Sequence, residues 1–185
     1  MKVKWGVIGC GGIADRRTLP GMMLAENAEL VAVMDTNLDA ATRCKDKYHA
    51  KYAFNRAEDL LALDEIQAVY IASPVFCHKD QCALAAKAKK HILLEKPMGL
   101  TTTEASEIAA LCKEEGVLLG VAFMMRFHSY HQKMKELIQS GHWVKLSRQE
   151  HSLPAGIPKW STAGDRTEPS REAVQCWTWQ SMPST

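Results

Sequence analysis

The chain has 185 residues, of which 46% are hydrophobic, and its formal net charge is only +2. A balance this close to neutral argues against nucleic acid or an acidic membrane surface as a partner. No apolar run is long enough to span a bilayer, and the N-terminus does not have the pattern of a signal peptide. The length suits one domain plus a fragment of another. The six cysteines are scattered without Cys-x-x-Cys spacing, which disfavours a metal site or a disulfide framework and predicts a cytoplasmic protein with reduced thiols.

Apolar strand patterns alternate with helical patterns from the N-terminus to about residue 140. Short continuous apolar runs predict strands covered on both faces, and the alternation predicts a doubly wound, parallel α/β sheet with right-handed crossovers. Pro20 lies inside the first helical pattern and should kink or interrupt that helix. The predicted strands are 3–8, 30–34, 68–72, 91–94 and 117–121, and the predicted helices are 12–25, 38–48, 56–62, 76–89, 102–115 and 127–140.

A glycine-rich turn follows the first predicted strand and has the form Gly-x-Gly-x-x-Ala, a variant of the dinucleotide-binding fingerprint. Its first glycine permits a tight turn, its second lets backbone approach a pyrophosphate, and the small alanine lets the next helix pack on the strand. That helix directs its positive N-terminal end at the phosphates. The alternative is a glycine turn that only reverses the chain. The pattern predicts a Rossmann-type domain with cofactor contacts from Gly9, Gly11, Gly12, Ile13 and Ala14.

Asp35 ends the second apolar run, about 20 residues beyond the glycine turn. A carboxylate at this place can accept hydrogen bonds from an adenosine ribose and would repel the 2′-phosphate of NADP. The residues that follow it, Thr36 and Asn37, do not supply the arginine that a 2′-phosphate favours. We therefore expect NAD as the cofactor, with NADP left open because Arg43 or Lys45 could still reach the phosphate.

Two further loops follow predicted strands at the edge of the sheet where doubly wound folds bind ligands. The first contains Ser73, Pro74 and His78, and the second is Glu95-Lys96-Pro97. A lysine in such a loop can give a proton or a hydrogen bond to a substrate oxygen. The neighbouring Glu95 is expected to hold this lysine in place. From its position alone, however, a lysine at a strand end is more often ordinary surface charge.

Together, the glycine turn, Asp35, the Ala-Ser-Pro-x-x-x-His loop and Glu-Lys-Pro resemble the glucose-fructose oxidoreductase, inositol 2-dehydrogenase and MocA (Gfo/Idh/MocA) family over residues 1–145. The resemblance implies an NAD(P)-dependent oxidoreductase that acts on a sugar, cyclitol or related alcohol. It implies that Lys96 is the catalytic lysine. It places Ser73, Pro74, His78, Glu95, Lys96 and Arg126 along the cofactor.

His128 is expected near the cleft by the same resemblance, although His128 and His131 also fit ordinary helix histidines. His91 opens an apolar run and is expected to be structural. The resemblance further implies a small polyol or sugar as partner and a homo-oligomer only in a full-length form.

The predicted domains are a nucleotide-binding domain at 1–121, the start of a substrate domain at 122–145, and an aberrant tail at 146–185. Members of the family carry a Gly-Gly-Gly…Asp-x-x-x-His motif in the second domain, and the tail lacks it. Three of the five tryptophans lie in the last 26 residues, which is uncommon for a disordered tail.

The reading frame offers an explanation for this tail. When residues 171–185 are read from the third base of each codon, the junction of Trp177 with Thr178 can encode only Asp. The other junctions permit Gly-Gly-Gly-Ala-Met-Leu-Asp-Met-Ala-Ile-His, which is the missing motif. The hypothesis is a frameshift between Trp143 and Ser152, followed by out-of-frame translation into a disordered tail.

Three functions therefore compete at this stage. The first is a hydride-transferring oxidoreductase, inactive if the chain is truncated. The second is a nucleotide-binding module without catalysis, and the third is a pseudogene product.

Overall fold

The computed structural model describes residues 1–141, and these contain one parallel sheet whose six strands are in the order β3-β2-β1-β4-β5-β6. The fold class predicted from the sequence is thereby confirmed, because this is the order of a Rossmann-type doubly wound sheet. The strands are β1 Val3–Ile8, β2 Ala28–Met34, β3 Tyr52–Phe54, β4 Ala68–Ile71, β5 His91–Leu94 and β6 Leu119–Val121. The helices are α1 Leu19–Leu24, α2 Leu38–Tyr48, α3 Ala57–Leu61, α4 His78–Lys87, α5 Thr102–Glu114 and α6 Ser129–Gln139.

The core lies on both faces of the sheet. One cluster of buried side chains includes Ile8, Val69 and Leu94 together with apolar residues of α3, α4 and α5. The other includes Val7 and Tyr70 together with residues of α1 and α2. Because side chains alternate between faces along a strand, strands buried on both faces must be apolar throughout, as the short continuous runs predicted.

The first helix changes from a π-helical to an α-helical conformation just before Pro20, where a kink or an interruption was expected. The backbone is helical from Gly12 to Leu24, but Ala14–Thr18 forms a π-helical segment, and the regular α1 begins only at Leu19. Pro20 then occupies the first turn of α1, where its missing N–H costs least. Such π-helical segments are frequent beside functional sites, and this one directly follows the glycine turn.

Side-chain caps fix the start of α2 and α5. Asn37 accepts hydrogen bonds from the N–H groups of Asp39 and Ala40 and so begins α2. Thr101 accepts one from the N–H of Glu104 and begins α5. Each cap satisfies backbone donors that the helix itself cannot pair.

The sequence analysis missed β3, a strand of only three residues at the edge of the sheet. Its length and partial exposure leave no periodic signal, and its pairing with β2 over Ala32–Met34 is a tertiary contact. Other boundaries differ by a few residues. The helix predicted at 76–89, for example, is a 3₁₀ turn at Val75–Cys77 followed by α4.

The chain divides into two compact units, Met1–Phe123 and Met124–Thr185. The first holds the whole sheet. The described part of the second is a 3₁₀ turn at Met124–Phe127 and the helix α6. The predicted tail at 146–185 and the proposed frameshift lie outside the described residues. None of the helices within residues 1–141 has the length and apolar character needed to cross a membrane.

Candidate functional site

The glycine turn packs directly on the loop that follows β4. Gly9 has a φ of +82°, and a Cβ at this position would lie 2.7 Å from the Ser73 nitrogen and 2.9 Å from the Ala72 carbonyl carbon. Side chains rarely adopt this backbone conformation, and backbone atoms cannot easily move away. Glycine is therefore required at position 9 for two reasons: the turn needs a positive φ, and a side chain would collide with the loop after β4.

Gly11 and Asp35 face each other across the end of the sheet. A Cβ on Gly11 would lie 3.6 Å from Oδ2 of Asp35, which is ordinary contact distance. The other carboxylate oxygen, Oδ1, accepts a hydrogen bond from the Asn37 N–H at 3.1 Å. Oδ1 is thus fixed by its own turn, and Oδ2 is directed toward the glycine turn. Ala14, in the position of the fingerprint's third small residue, is fully buried.

These residues fit a dinucleotide. Gly11 and Gly12 are exposed, and a Cβ on Gly12 would meet nothing within 4 Å, so backbone there is open to a ligand. A backbone at positive φ without side chains is the kind of concavity that accepts phosphate oxygens. Asp35 places a carboxylate oxygen beside this backbone, which is the kind of acceptor that ribose hydroxyls need. Ile13, which follows, is half-buried where the helical backbone begins.

His78 joins the two loops that sequence analysis singled out. It is 1% exposed, its Nε2 lies 3.0 Å from the Ser73 carbonyl oxygen, and its Nδ1 lies 3.0 Å from the Pro97 carbonyl oxygen. The Ser73 hydroxyl donates in turn to the side-chain oxygen of Gln81, while Pro74 is exposed. Because both ring nitrogens of His78 lie at hydrogen-bonding distance from backbone carbonyl oxygens, this buried side chain holds the two loops together and does not face a ligand.

Glu95 fixes the backbone of the lysine turn, which is the segment Glu95-Lys96-Pro97 after β5. It is 5% exposed, its Oε1 accepts a hydrogen bond from the Tyr70 hydroxyl at 2.6 Å, and its Oε2 accepts one from the Lys96 N–H at 3.1 Å. The sequence analysis expected Glu95 to hold the lysine in place. It does so at the main chain, and the Lys96 side chain is exposed before a cis peptide bond to Pro97.

Tyr70 is a member of this site that sequence reasoning missed. It is fully buried in β4, receives a hydrogen bond from the Thr18 hydroxyl at 2.9 Å and donates to Glu95. Burial, followed by the hydrogen bond to Glu95, raises the pKa of the Tyr70 hydroxyl. A hydroxyl inside an otherwise apolar strand must find a partner, and that was the signal in the sequence. The chain Thr18–Tyr70–Glu95 thus connects the helix after the glycine turn to the lysine turn.

The remaining predicted residues lie in the second unit. Arg126 belongs to the 3₁₀ turn at Met124–Phe127. His128 caps α6, since its Nδ1 accepts a hydrogen bond from the Tyr130 N–H at 3.3 Å, and its ring centroid lies 5.6 Å from that of His131. Their contribution to the cofactor site or the cleft stays a prediction.

His91 has the structural role that was expected. Its Nδ1 accepts a hydrogen bond from the Leu118 N–H at 3.1 Å and so ties the start of β5 to the segment before β6. Within residues 1–141, no group of three or more His, Cys, Asp or Glu side chains is placed to hold a metal ion.

Solved structures of known enzymes match this architecture. A 3-ketoreductase from Actinomadura kijaniata, in complex with TDP-benzene and NADP, has 30% identity and a TM-score of 0.72, with 76% of this chain and 44% of that chain covered. The scyllo-inositol dehydrogenase from Lactobacillus casei, with bound NAD(H) and scyllo-inositol, has a TM-score of 0.72 at 24% identity, with coverage of 77% and 42%. At that lower identity the likeness shows the fold alone.

A relative identified by its sequence shows similarly partial coverage. The glucose-6-phosphate 3-dehydrogenase of Bacillus subtilis is 36% identical over 135 residues, which are 73% of this chain and 37% of the relative. The chain therefore spans less than half the length of the relatives it matches.

The family assignment follows from the first unit. Residues 3–123 match the oxidoreductase family with an NAD-binding Rossmann fold. The matched stretch contains the whole sheet, the glycine turn, Asp35 and both loops at the carboxyl edge. The chain belongs to the Gfo/Idh/MocA family of oxidoreductases.

Proposed function

We propose that this protein transfers hydride between a nicotinamide cofactor and a hydroxyl group of a sugar, cyclitol or related alcohol. The observation that carries the proposal is the convergence of four strand ends. The glycine turn after β1, Asp35 after β2, Ser73 after β4 and Lys96 after β5 all follow the carboxyl ends of neighbouring strands. The glycine turn lies against Ser73 and Asp35, and His78 connects Ser73 to the turn that carries Lys96. Family membership supports the reaction class.

Different residues of the chain would contact different parts of the cofactor. The backbone at Gly11 and Gly12 would receive the pyrophosphate, Oδ2 of Asp35 would accept from the adenosine ribose, and the Ser73–Pro74 loop would lie along the dinucleotide. When bound, the nicotinamide ring supplies the carbon that accepts or gives the hydride.

Lys96 would act on the substrate. Lys96 is exposed and stands on a turn whose backbone is fixed by Glu95, so its side chain projects from a defined position. A hydrogen bond from its ammonium group to the reacting oxygen would stabilise the negative charge that develops there during hydride transfer. Glu95 and Tyr70 position the turn and do not touch the substrate.

The cofactor preferred in this proposal is NAD. Asp35 places a carboxylate oxygen beside the glycine turn, and a 2′-phosphate in the same region would meet like charge. The matched structures contain NADP in one case and NAD(H) in the other, so relatives alone leave the choice open. A ratio of dissociation constants for NAD and NADP, measured by calorimetry on this chain, tests the preference.

The test of the reaction uses two lysine variants. Lys96→Met should keep NAD affinity within about threefold, because the proposed role is on the substrate side, and should abolish reduced-nicotinamide formation with a panel of sugars and inositols. Lys87→Met is the matched control, since this exposed lysine lies in the last turn of α4 and should leave both measurements unchanged. Failure of the unmodified chain to bind any nicotinamide dinucleotide would overturn the proposal.

Binding without turnover in the unmodified chain would favour the second candidate, a nucleotide-binding module. The observation behind this candidate is that residues 3–123, which match the NAD-binding family, contain the whole sheet and the glycine turn. We infer from codon permissiveness at 171–185 that a frame change between Trp143 and Ser152 separates the tail from its original frame. Sequencing the coding DNA tests this, and a gene with no Asp-x-x-x-His motif in another frame would refute it.

A further inference from the structure

Two cysteines meet directly beneath the glycine turn. Cys10 stands between Gly9 and Gly11, and Cys44 lies on α2, with exposures of 1% and 6%. Both belong to the same core cluster. The Cys44 thiol donates a hydrogen bond to the Cys10 carbonyl oxygen at 3.8 Å, so the side chain of Cys44 reaches the main chain of Cys10. No role in cofactor binding or hydride transfer accounts for this pair.

The two thiols are chemically unequal. The interaction with Cys44 and burial raise the pKa of the Cys10 thiol, whereas the interaction with Cys10 lowers the pKa of the Cys44 thiol. The thiolate is the reactive form of cysteine, so this direction favours Cys44 as the thiol that reacts first and Cys10 as the thiol that resolves its oxidised form.

The surroundings permit the sulfur atoms to approach one another. Glycines flank Cys10 on both sides, and Gly12 follows, with open space around it. The N–H groups of Gly9 and Cys10 are both hydrogen-bonded to the Met34 carbonyl, so any adjustment falls on the open backbone at Gly11 and Gly12. Gly11 and Gly12 are exposed, so Cys10 lies one residue from solvent and a small oxidant needs only a local opening.

We propose that Cys10 and Cys44 are a redox modification site that forms a reversible disulfide when the protein meets a peroxide. The Cys44 thiolate attacks one peroxide oxygen, which breaks the O–O bond, releases hydroxide and leaves Cys44 as a sulfenic acid. The Cys10 sulfur then attacks the Cys44 sulfur, the S–O bond breaks, and water leaves. Two thiols are oxidised to one disulfide, and one peroxide is reduced to two waters.

The disulfide would act on the cofactor site. It ties the glycine turn to α2 and fixes backbone that the pyrophosphate is proposed to contact. This consequence rests on the proposed function. Oxidised protein should bind NAD about tenfold more weakly than reduced protein, and bound NAD should slow oxidation because it covers the turn.

The experiment treats the full chain with hydrogen peroxide, with and without NAD, alkylates the remaining thiols and maps the peptides by mass spectrometry. The expected product joins the Cys10 and Cys44 peptides, lacks two hydrogen atoms and is reversed by a thiol reductant. Cys77→Ser is the matched control, because Cys77 is a half-buried cysteine outside the pair and its loss should leave the linkage intact. Cys44→Ser should abolish the linkage.

Free thiols at Cys10 and Cys44 under conditions that fully oxidise Cys77 would overturn the proposal, and this measurement on the unmodified chain does not depend on any variant folding. An intact linkage with unchanged NAD affinity would refute the effect on the cofactor site. A linkage in a chain that never binds NAD would refute the proposed function and leave the modification site standing.

Discussion

A methyl group added at Gly11 should separate cofactor binding from folding. The Cβ of Gly11→Ala would lie 3.6 Å from Oδ2 of Asp35, an ordinary contact, and Gly11 is not among the glycines with positive φ. We therefore expect the free energy of unfolding to change by no more than about 0.5 kcal/mol. The methyl nevertheless occupies the space through which backbone and Asp35 would contact the dinucleotide.

The expected loss of affinity follows from that geometry. A pyrophosphate held away from the backbone loses part of its hydrogen bonding, and the ribose moves relative to Asp35. We expect the NAD dissociation constant to rise by about tenfold to a hundredfold, which corresponds to about 1.4–2.8 kcal/mol. Calorimetric titration measures the affinity, and urea unfolding followed by circular dichroism measures the stability.

Gly116→Ala supplies the opposite control. Gly116 follows α5 with a φ of +69° and has nothing within 4 Å of an added Cβ, so the substitution introduces backbone strain without a clash and away from the site. It should cost about 1 kcal/mol of stability and leave NAD affinity unchanged. If Gly11→Ala binds NAD within twofold of the unmodified chain, the proposed approach of a pyrophosphate at Gly11 is wrong.

Three further predictions concern side chains around the same edge. Tyr70→Phe removes the buried donor to Glu95 and should lower the free energy of unfolding by about 1.5–3 kcal/mol in urea titrations; a loss below about 0.5 kcal/mol would show that the hydrogen bond is unimportant. Asp35→Ser should raise the affinity for NADP relative to NAD in calorimetry, and an unchanged ratio would remove Asp35 as the discriminating group. Hydrogen bonds from Lys47 and Tyr48 lower the pKa of Asp15, so the carboxylate contributes stability above its ordinary pKa of 3.8 and loses it as the pH falls through the lowered value. The difference in unfolding midpoint between the unmodified chain and Asp15→Asn should therefore shrink in acid, and a difference independent of pH would contradict this reasoning.

Local chemistry explains how much of the molecule could be predicted. The glycine turn, the buried strands and Asp35 are each encoded within a short stretch, because positive φ requires glycine and continuous apolar runs require burial on both faces. The interruption at Pro20 is likewise local, since a proline cannot donate the hydrogen bond that a helix interior needs. These local features are sufficient to predict the fold and the end of the sheet at which the cofactor is proposed to bind.

Tertiary structure decided which of these segments contact one another. Tyr70 and Glu95 are 25 positions apart, His78 reaches the Pro97 carbonyl across 19, and Cys44 reaches Cys10 across 34. No sequence period connects such pairs, because they meet only when parallel strands align in the order β2-β1-β4-β5. The sequence by itself determined which residues could turn, bury or carry charge. The alignment of strand ends decided that Glu95 accepts a hydrogen bond from the Lys96 N–H and that His78 connects the loops after β4 and β5. It also decided that the Cys44 thiol meets Cys10 beneath the glycine turn.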